Sequence, residues 1–177
     1  MTLICRILPL LLMLVPATAS AQSFVVHGSA GPTMVDGGYS LAAGAGFLPS
    51  SRVTFLLDAE RTHLFMRTRS DGRGGSTFRG GTVTLGTAEV QVSMLRRQRA
   101  SPYVLGGFAA GISRPNINSP VDDPVTHNVR AMFLGGGIQV PIGDGLTLFA
   151  DARVILGAEA GETLGLVPVR AGVAWRF

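Results

Sequence analysis

The chain has 177 residues, a formal net charge of +4 at pH 7 and 46% hydrophobic residues. That length suits a single domain. The positive balance is too mild to indicate a nucleic-acid partner, and all fifteen basic residues are arginine.

The first element in chain order is a targeting segment. Arg6 supplies a short positive region, Ile7 to Val15 is an apolar run interrupted only by Pro9, and Ala19-Ser20-Ala21 is a small-residue cleavage site. This pattern predicts a secretory signal peptide over residues 1–21, with cleavage after Ala21 (after Ala19 is the rival) and one domain over residues 22–177. The apolar run is shorter than the roughly 20 residues a spanning helix needs. Cys5 is the only cysteine and falls inside the signal, so the remaining chain can form neither a disulfide nor a thiolate metal site.

Eight strand-like segments follow, near Ser23–Ala30, Gly38–Phe47, Arg52–Thr62, Gly80–Ser93, Tyr103–Ser113, Val129–Val140, Leu146–Gly157 and Val167–Phe177. Most have the length of a tilted membrane strand, about 9–11 residues. Leu48–Ser51, Met94–Pro102 and Pro141–Gly145 read as shorter turns. Gly31–Gly37, His63–Arg79, Arg114–Asn128 and Ala158–Leu166 read as the longer loops. Short and long connections alternate, as they do in a barrel with short periplasmic turns and longer outer loops.

Strand side chains alternate faces. In the last segment Val167, Val169, Ala171, Val173, Trp175 and Phe177 share one parity, and Pro168, Arg170, Gly172, Ala174 and Arg176 share the other. In the third segment Val53, Phe55, Leu57 and Ala59 oppose Thr54, Leu56, Asp58 and Glu60. In the seventh, Leu146, Leu148, Ala150, Ala152, Val154 and Leu156 oppose Thr147, Phe149, Asp151, Arg153 and Ile155. The fourth is mixed: Val83 and Leu85 share the parity of Glu89 and Gln91, which predicts a bulge at Gly86.

Periodicity alone does not say which face points inward. Three features favour the apolar face outward. The other face is built mostly of Gly, Ala, Ser and Thr, a crowded interior rather than a solvated surface. Its charges nearly balance, with Asp58, Glu60, Glu89 and Asp151 against Arg153, Arg170 and Arg176. Buried charges must pair, because an isolated one is costly. Finally, Phe24, Phe47, Phe55, Tyr103, Trp175 and Phe177 gather at one set of strand ends as an interfacial girdle. The predicted fold class is therefore all-β: an eight-stranded antiparallel transmembrane β-barrel.

With its signal peptide, strand count, loop asymmetry and terminal Phe177, the chain resembles the small eight-stranded outer-membrane barrels of the OmpA-like transmembrane domain family. The resemblance covers essentially all of residues 22–177. It implies a monomer in the bacterial outer membrane, inserted by the outer-membrane assembly machinery, with outer-membrane lipid and lipopolysaccharide as its surroundings. Trp175 and Phe177 resemble the terminal assembly signal of such barrels. No wall-binding domain is expected after Phe177.

The functional signals are sparse. Asp58, Glu60, Glu89, Asp151, Arg153 and Arg170 fit a structural ion network filling the lumen, or else a relay or gate in a narrow channel. His27 and Ser29 lie two apart on one face, a spacing open to a base and a nucleophile. The pair resembles the His-x-Ser of outer-membrane lipid A deacylases, but there it belongs to a late strand and here to the first. The blander alternative is a lumen-facing His and Ser joined to the ion network. Arg67, Arg69, Arg73 and Arg79, with Asp71 the only acid among them, make the second long loop basic. They suit contact with lipopolysaccharide phosphates, or an ordinary solvated loop. Arg96, Arg97 and Arg99 crowd the middle turn and suit an anionic interface. Gly135-Gly136-Gly137 fits close strand packing. No catalytic motif, metal site or cofactor site is evident. The expected role is structural or surface-interacting, with a lipid-modifying enzyme or a narrow channel as alternatives.

Overall fold

A computed structural model describes residues 23–35, 37–69, 76–95, 100–116, 126–159 and 162–177. The signal segment, Arg73, Arg96, Arg97 and Arg99 lie outside the described residues. Nine strands form among the described residues: β1 (Ser23–Pro32), β2 (Gly38–Leu48), β3 (Val53–Arg69), β4 (Ser76–Ser93), β5 (Ser101–Pro115), β6 (His127–Pro141), β7 (Leu146–Glu159), β8 (Glu162–Leu166) and β9 (Val169–Arg176).

All pairings are antiparallel between neighbours. β9 returns to pair with both β1 and β7, and β6 pairs with β7, so the sheet closes on itself. β8 and β9 are one stave of the barrel. Both keep the same register against β7, with Ile155 opposite Leu166 and Ala152 opposite Val169. The interruption falls at Val167-Pro168, where proline has no N–H for the ladder. Its carbonyl still accepts from Arg153 N at 3.1 Å. The barrel thus has eight staves, as the sequence predicts. Phe24 and Phe177 exchange two backbone hydrogen bonds, of 3.0 and 3.1 Å, and fasten the first stave to the last.

Alternation decides the two surfaces. Leu41, Leu57, Phe108, Met132, Leu134, Leu148, Val154, Leu156 and Val173 point outward and are exposed. Asp58, Glu60, Glu89, Asp151, Arg153 and Arg170 point inward and are buried. A water-soluble barrel would reverse this sorting. An apolar band around a polar, filled interior is the arrangement of a membrane barrel.

Three local expectations change. Pairing runs without a break through Gly86, opposite Ala59 on β3 and Ala110 on β5, so there is no bulge. Val83 and Leu85 instead face inward, fully buried, and join Leu64, Leu105, Val129, Phe133, Ile155, Leu164 and Leu166 in an apolar core inside the barrel. This core fills the half of the lumen away from the termini. Tyr103 also turns inward and is only 3% exposed, so it leaves the predicted girdle. Phe24, Phe47, Phe55, Trp175 and Phe177 remain outside at the terminal end, with Phe47 and Phe55 stacked at 5.1 Å.

The third change concerns the loops. Much of His63–Arg79 is paired strand, with Arg67 opposite Phe78 and Arg69 opposite Ser76. Most of Ala158–Leu166 is strand too, paired down to Glu159 opposite Glu162. Part of the length read as loop at this end is therefore strand. At the terminal end, Gly145 takes a φ of 82°, which lets Pro141–Gly145 turn back tightly into β7.

Candidate functional site

Inward positions on β1, β3, β4, β7 and β9 meet at mid-height and form a charged belt across the lumen. Asp151 is its hub. Arg170 grips Asp151 with two parallel bonds, Nε to Oδ1 and Nη2 to Oδ2, each 3.2 Å. Its Nη1 crosses the lumen and donates to Glu60 Oε2 at 3.3 Å. Arg153 Nε donates to Asp151 Oδ1 at 3.2 Å, and its Nη1 lies 2.6 Å from Glu89 Oε2. The planar guanidinium, with five donors, is the side chain suited to bridging several carboxylates. Asp58 completes the belt through His27, whose Nε2 is 2.7 Å from Asp58 Oδ1. All these side chains are 0–4% exposed.

Neutral partners extend the network. Ser40 Oγ donates to Glu60 Oε1 at 2.7 Å, and Tyr103 Oη donates to Asp151 Oδ2 at 3.2 Å. Toward the terminal end, Gln91 Nε2 donates to Gln139 Oε1 and Gln139 Nε2 to Ser93 Oγ. Arg153 also lies 5.4 Å from the Phe133 ring centre, where belt meets apolar core. Glycines make the room. A Cβ at Gly44 would collide with the Asp58 carboxylate, and one at Gly137 with Asp151 and Tyr103. The Gly135–Gly137 run therefore serves close packing, as its sequence suggests.

All six charged residues expected in the lumen come together. Arg176 does not: it sits exposed at the terminal mouth. His27 joins the belt as a partner of Asp58. Ser29 Oγ is buried and makes no hydrogen bond, and neither does His27 Nδ1. The pair faces the lumen, away from lipid. Sequence reasoning missed Tyr103, because tyrosine suits an interfacial girdle equally well. The available signal was its parity, shared with Ser101, Gly107, Gly111 and Ser113.

Below the belt, a chamber of about 70 Å³ remains toward the terminal end, lined by His27, Glu89, Gln91, Tyr103, Gln139 and Phe149 among others. Above the belt, the apolar core closes the lumen. Among the described residues, no group of three or more His, Cys, Asp or Glu is arranged to hold a metal ion.

At the other end, β3 and β4 stand above their neighbours. The last β2 pairing is Gly38 with Leu64, and the last β5 pairing is Pro115 with Gly81. One further bond on each side, Phe65 N to Gly37 O and Asn116 N to Gly80 O, ends these contacts, and β3 and β4 go on pairing with each other as far as Arg69 opposite Ser76. Arg67, Arg69 and Arg79 occupy this hairpin. Arg67 pairs with Phe78 and Arg79 with Met66, so the two positions belong to opposite faces of the ribbon.

No protein-family model matches the chain, and no curated protein matches it. Its fold is that of solved outer-membrane barrels. The N-terminal β-barrel domain of Pseudomonas aeruginosa OprF is 16% identical, covers 88% of this chain and 97% of that one, and has a TM-score of 0.65. Neisserial surface protein A is 13% identical, with coverage of 89% and 100% and a TM-score of 0.69. Ail of Yersinia pestis, solved in complex with the heparin analogue sucrose octasulfate, is 12% identical, with coverage of 88% and 98% and a TM-score of 0.57. Closed staves, outward apolar band and filled lumen define the class: a small eight-stranded barrel of the bacterial outer membrane. Within that class, its structural neighbours are the OmpA-like, Ail and NspA barrels.

Proposed function

We propose that this protein is a sealed structural barrel that meets the cell surface through its β3–β4 hairpin, where arginines contact the phosphates of lipopolysaccharide. The observation that carries the reading is the hairpin's rise beyond both neighbouring strands. Its sequence holds Arg67, Arg69, Arg73 and Arg79 against one acid, Asp71. Guanidinium groups bind phosphate bidentately, and a ribbon that extends beyond its neighbouring strands suits them to phosphates at the outer surface. The lumen supports a structural role. The charges of its mid-height belt are matched by named partners, and an apolar core lies above them. Catalysis on a lipid gains no support, since His27 is bound to Asp58 and faces away from the acyl chains.

The test is binding of lipopolysaccharide that carries its phosphorylated core to the barrel in phosphatidylcholine nanodiscs. Replacing all four hairpin arginines by Gln should weaken binding by ~tenfold or more, since a charge-assisted hydrogen bond contributes about 1.5–3 kcal/mol. Unchanged affinity would refute the reading.

A further inference from the structure

The lumen holds charges of both signs, but the acids among the described strand side chains are confined to it. Asp58, Glu60, Glu89, Asp151 and Glu159 are all buried in the lumen. On the outward faces of the strands, among the described side chains, the charged residues are Arg61, Arg114 and Arg130. They share one zone. Arg61 pairs with Thr84, Thr84 with Ile112 and Ile112 with Asn128; Arg114 lies two residues from Ile112 and Arg130 two from Asn128. All three sit in the half of the barrel away from the termini, which faces the outer leaflet.

Arg61 is the most deeply placed. It makes no hydrogen bond or ion pair among the described residues. A cation on the lipid face is tolerated near an interface and costly deeper in, about 2–4 kcal/mol at the midplane. The interface is marked just above it. Tyr39, His63 and Phe65 form an outward aromatic cluster with ring centres 5.3–6.4 Å apart. His63 is two residues from Arg61 on the same face, about 7 Å along the strand at the usual rise. An arginine side chain is long enough to bring its guanidinium to that level along the wall. Beside Arg61 an apolar trough of about 670 Å³ crosses the outer surface from β9 to β4, floored by Ala43, Ala59 and Ala171 and flanked by Leu41 and Val173.

We propose that Arg61 and this trough hold one molecule of the phosphorylated glycolipid of the outer leaflet: a lipid A phosphate on the guanidinium and an acyl chain along the trough. Charge complementarity selects the occupant. Among the described side chains the outward strand faces offer cations and no acid, and the trough below them is almost wholly apolar. A zwitterionic phospholipid would bring its own ammonium to the same cations. The site rests on the membrane-barrel reading but not on the β3–β4 hairpin, because Arg61 and the trough lie on the barrel wall below it.

The experiment is native mass spectrometry of lipid retained by the barrel after release from vesicles of phosphatidylcholine doped with either lipid A or phosphatidylglycerol. Wild type should keep one lipid A. Arg61→Gln should lower retention by ~tenfold, in keeping with loss of a charge-assisted hydrogen bond. Ala59→Leu, which fills the trough and keeps the cation, should also lower it. Arg176→Gln, at the terminal mouth, should leave it unchanged, and so should the four-arginine hairpin variant. Equal retention by Arg61→Gln would overturn the proposal, as would retention of phosphatidylglycerol as strong as that of lipid A. Loss in the hairpin variant alone would favour the hairpin reading and refute the wall site.

Discussion

Asp151 carries more of the lumen than any other single side chain, because both belt arginines and Tyr103 converge on it. Removing one partner of a buried pair leaves the other charge stranded, which costs about 3–5 kcal/mol. Asp151→Ala should therefore destabilise the barrel by about that amount in urea titrations in lipid vesicles. Arg176→Ala, at the exposed mouth, should change it little. Gly44→Ala disturbs the His27–Asp58 contact together with the strand: its added methyl falls where the carboxylate sits and also against the Leu57 carbonyl, so Asp58 must leave His27 and the backbone must shift. The expected readout is a loss of stability in Gly44→Ala that is not additive with His27→Ala, since both variants break the same contact. Additive losses would mean that the contact contributes nothing. The charged members of this belt were legible from parity alone. A carboxylate in the body of a membrane strand has nowhere to go but the lumen, and Arg153 and Arg170 share the parity of those carboxylates. Tyr103 was not legible, because its ring and hydroxyl satisfy either surface.

Among the strands, legibility followed contrast between faces. β7 and β9 alternate apolar with polar or small residues, and their register follows from that pattern. β4 fails the same test because its inward face changes character along its length, from Glu89 and Gln91 to Leu85 and Val83. A bulge would explain such a switch in sequence. The structure explains it by a lumen whose charged belt at mid-height gives way to an apolar core beyond it. The extent of β3 and β4 was hidden for another reason: residues 70–77 are Ser, Asp, Gly, Arg and Thr, a turn composition. The final stave yields a prediction of its own. Phe177 both presents its ring to lipid at 69% exposure and closes the barrel seam by its backbone bonds to Phe24. Phe177→Asp keeps those bonds and alters only the side chain; deletion removes both. Deletion should lower the yield of heat-modifiable, membrane-inserted protein more than Phe177→Asp does, and both should lie well below wild type. Wild-type yield after deletion would show that closure does not depend on this residue.

The whole molecule is inverted relative to a soluble barrel, and its stability should respond accordingly. Val173 and Leu148 are opposite each other on the lipid face, and Ala174 and Thr147 are opposite each other on the lumen face. Val173→Arg and Leu148→Arg should each cost up to about 2–4 kcal/mol near mid-membrane, less toward the interface. Ala174→Ser and Thr147→Ser should stay close to wild type in the same vesicle titrations. The opposite ranking would mean that the barrel is inside out. The same inversion predicts electrical silence. Eight staves enclose a space just wide enough for side chains. Here that space holds a charged belt of paired groups, with an apolar core above it that fills the passage. Protein inserted into planar bilayers should show no steady conductance of porin size. Opening the belt alone should not create one: Asp151→Ala removes the hub but leaves Leu64, Val83, Leu85, Phe133 and Ile155 in place. A stable open level in wild type would defeat the sealed-lumen reading. A level appearing only in Asp151→Ala would show that the belt, and not the apolar core, is the seal.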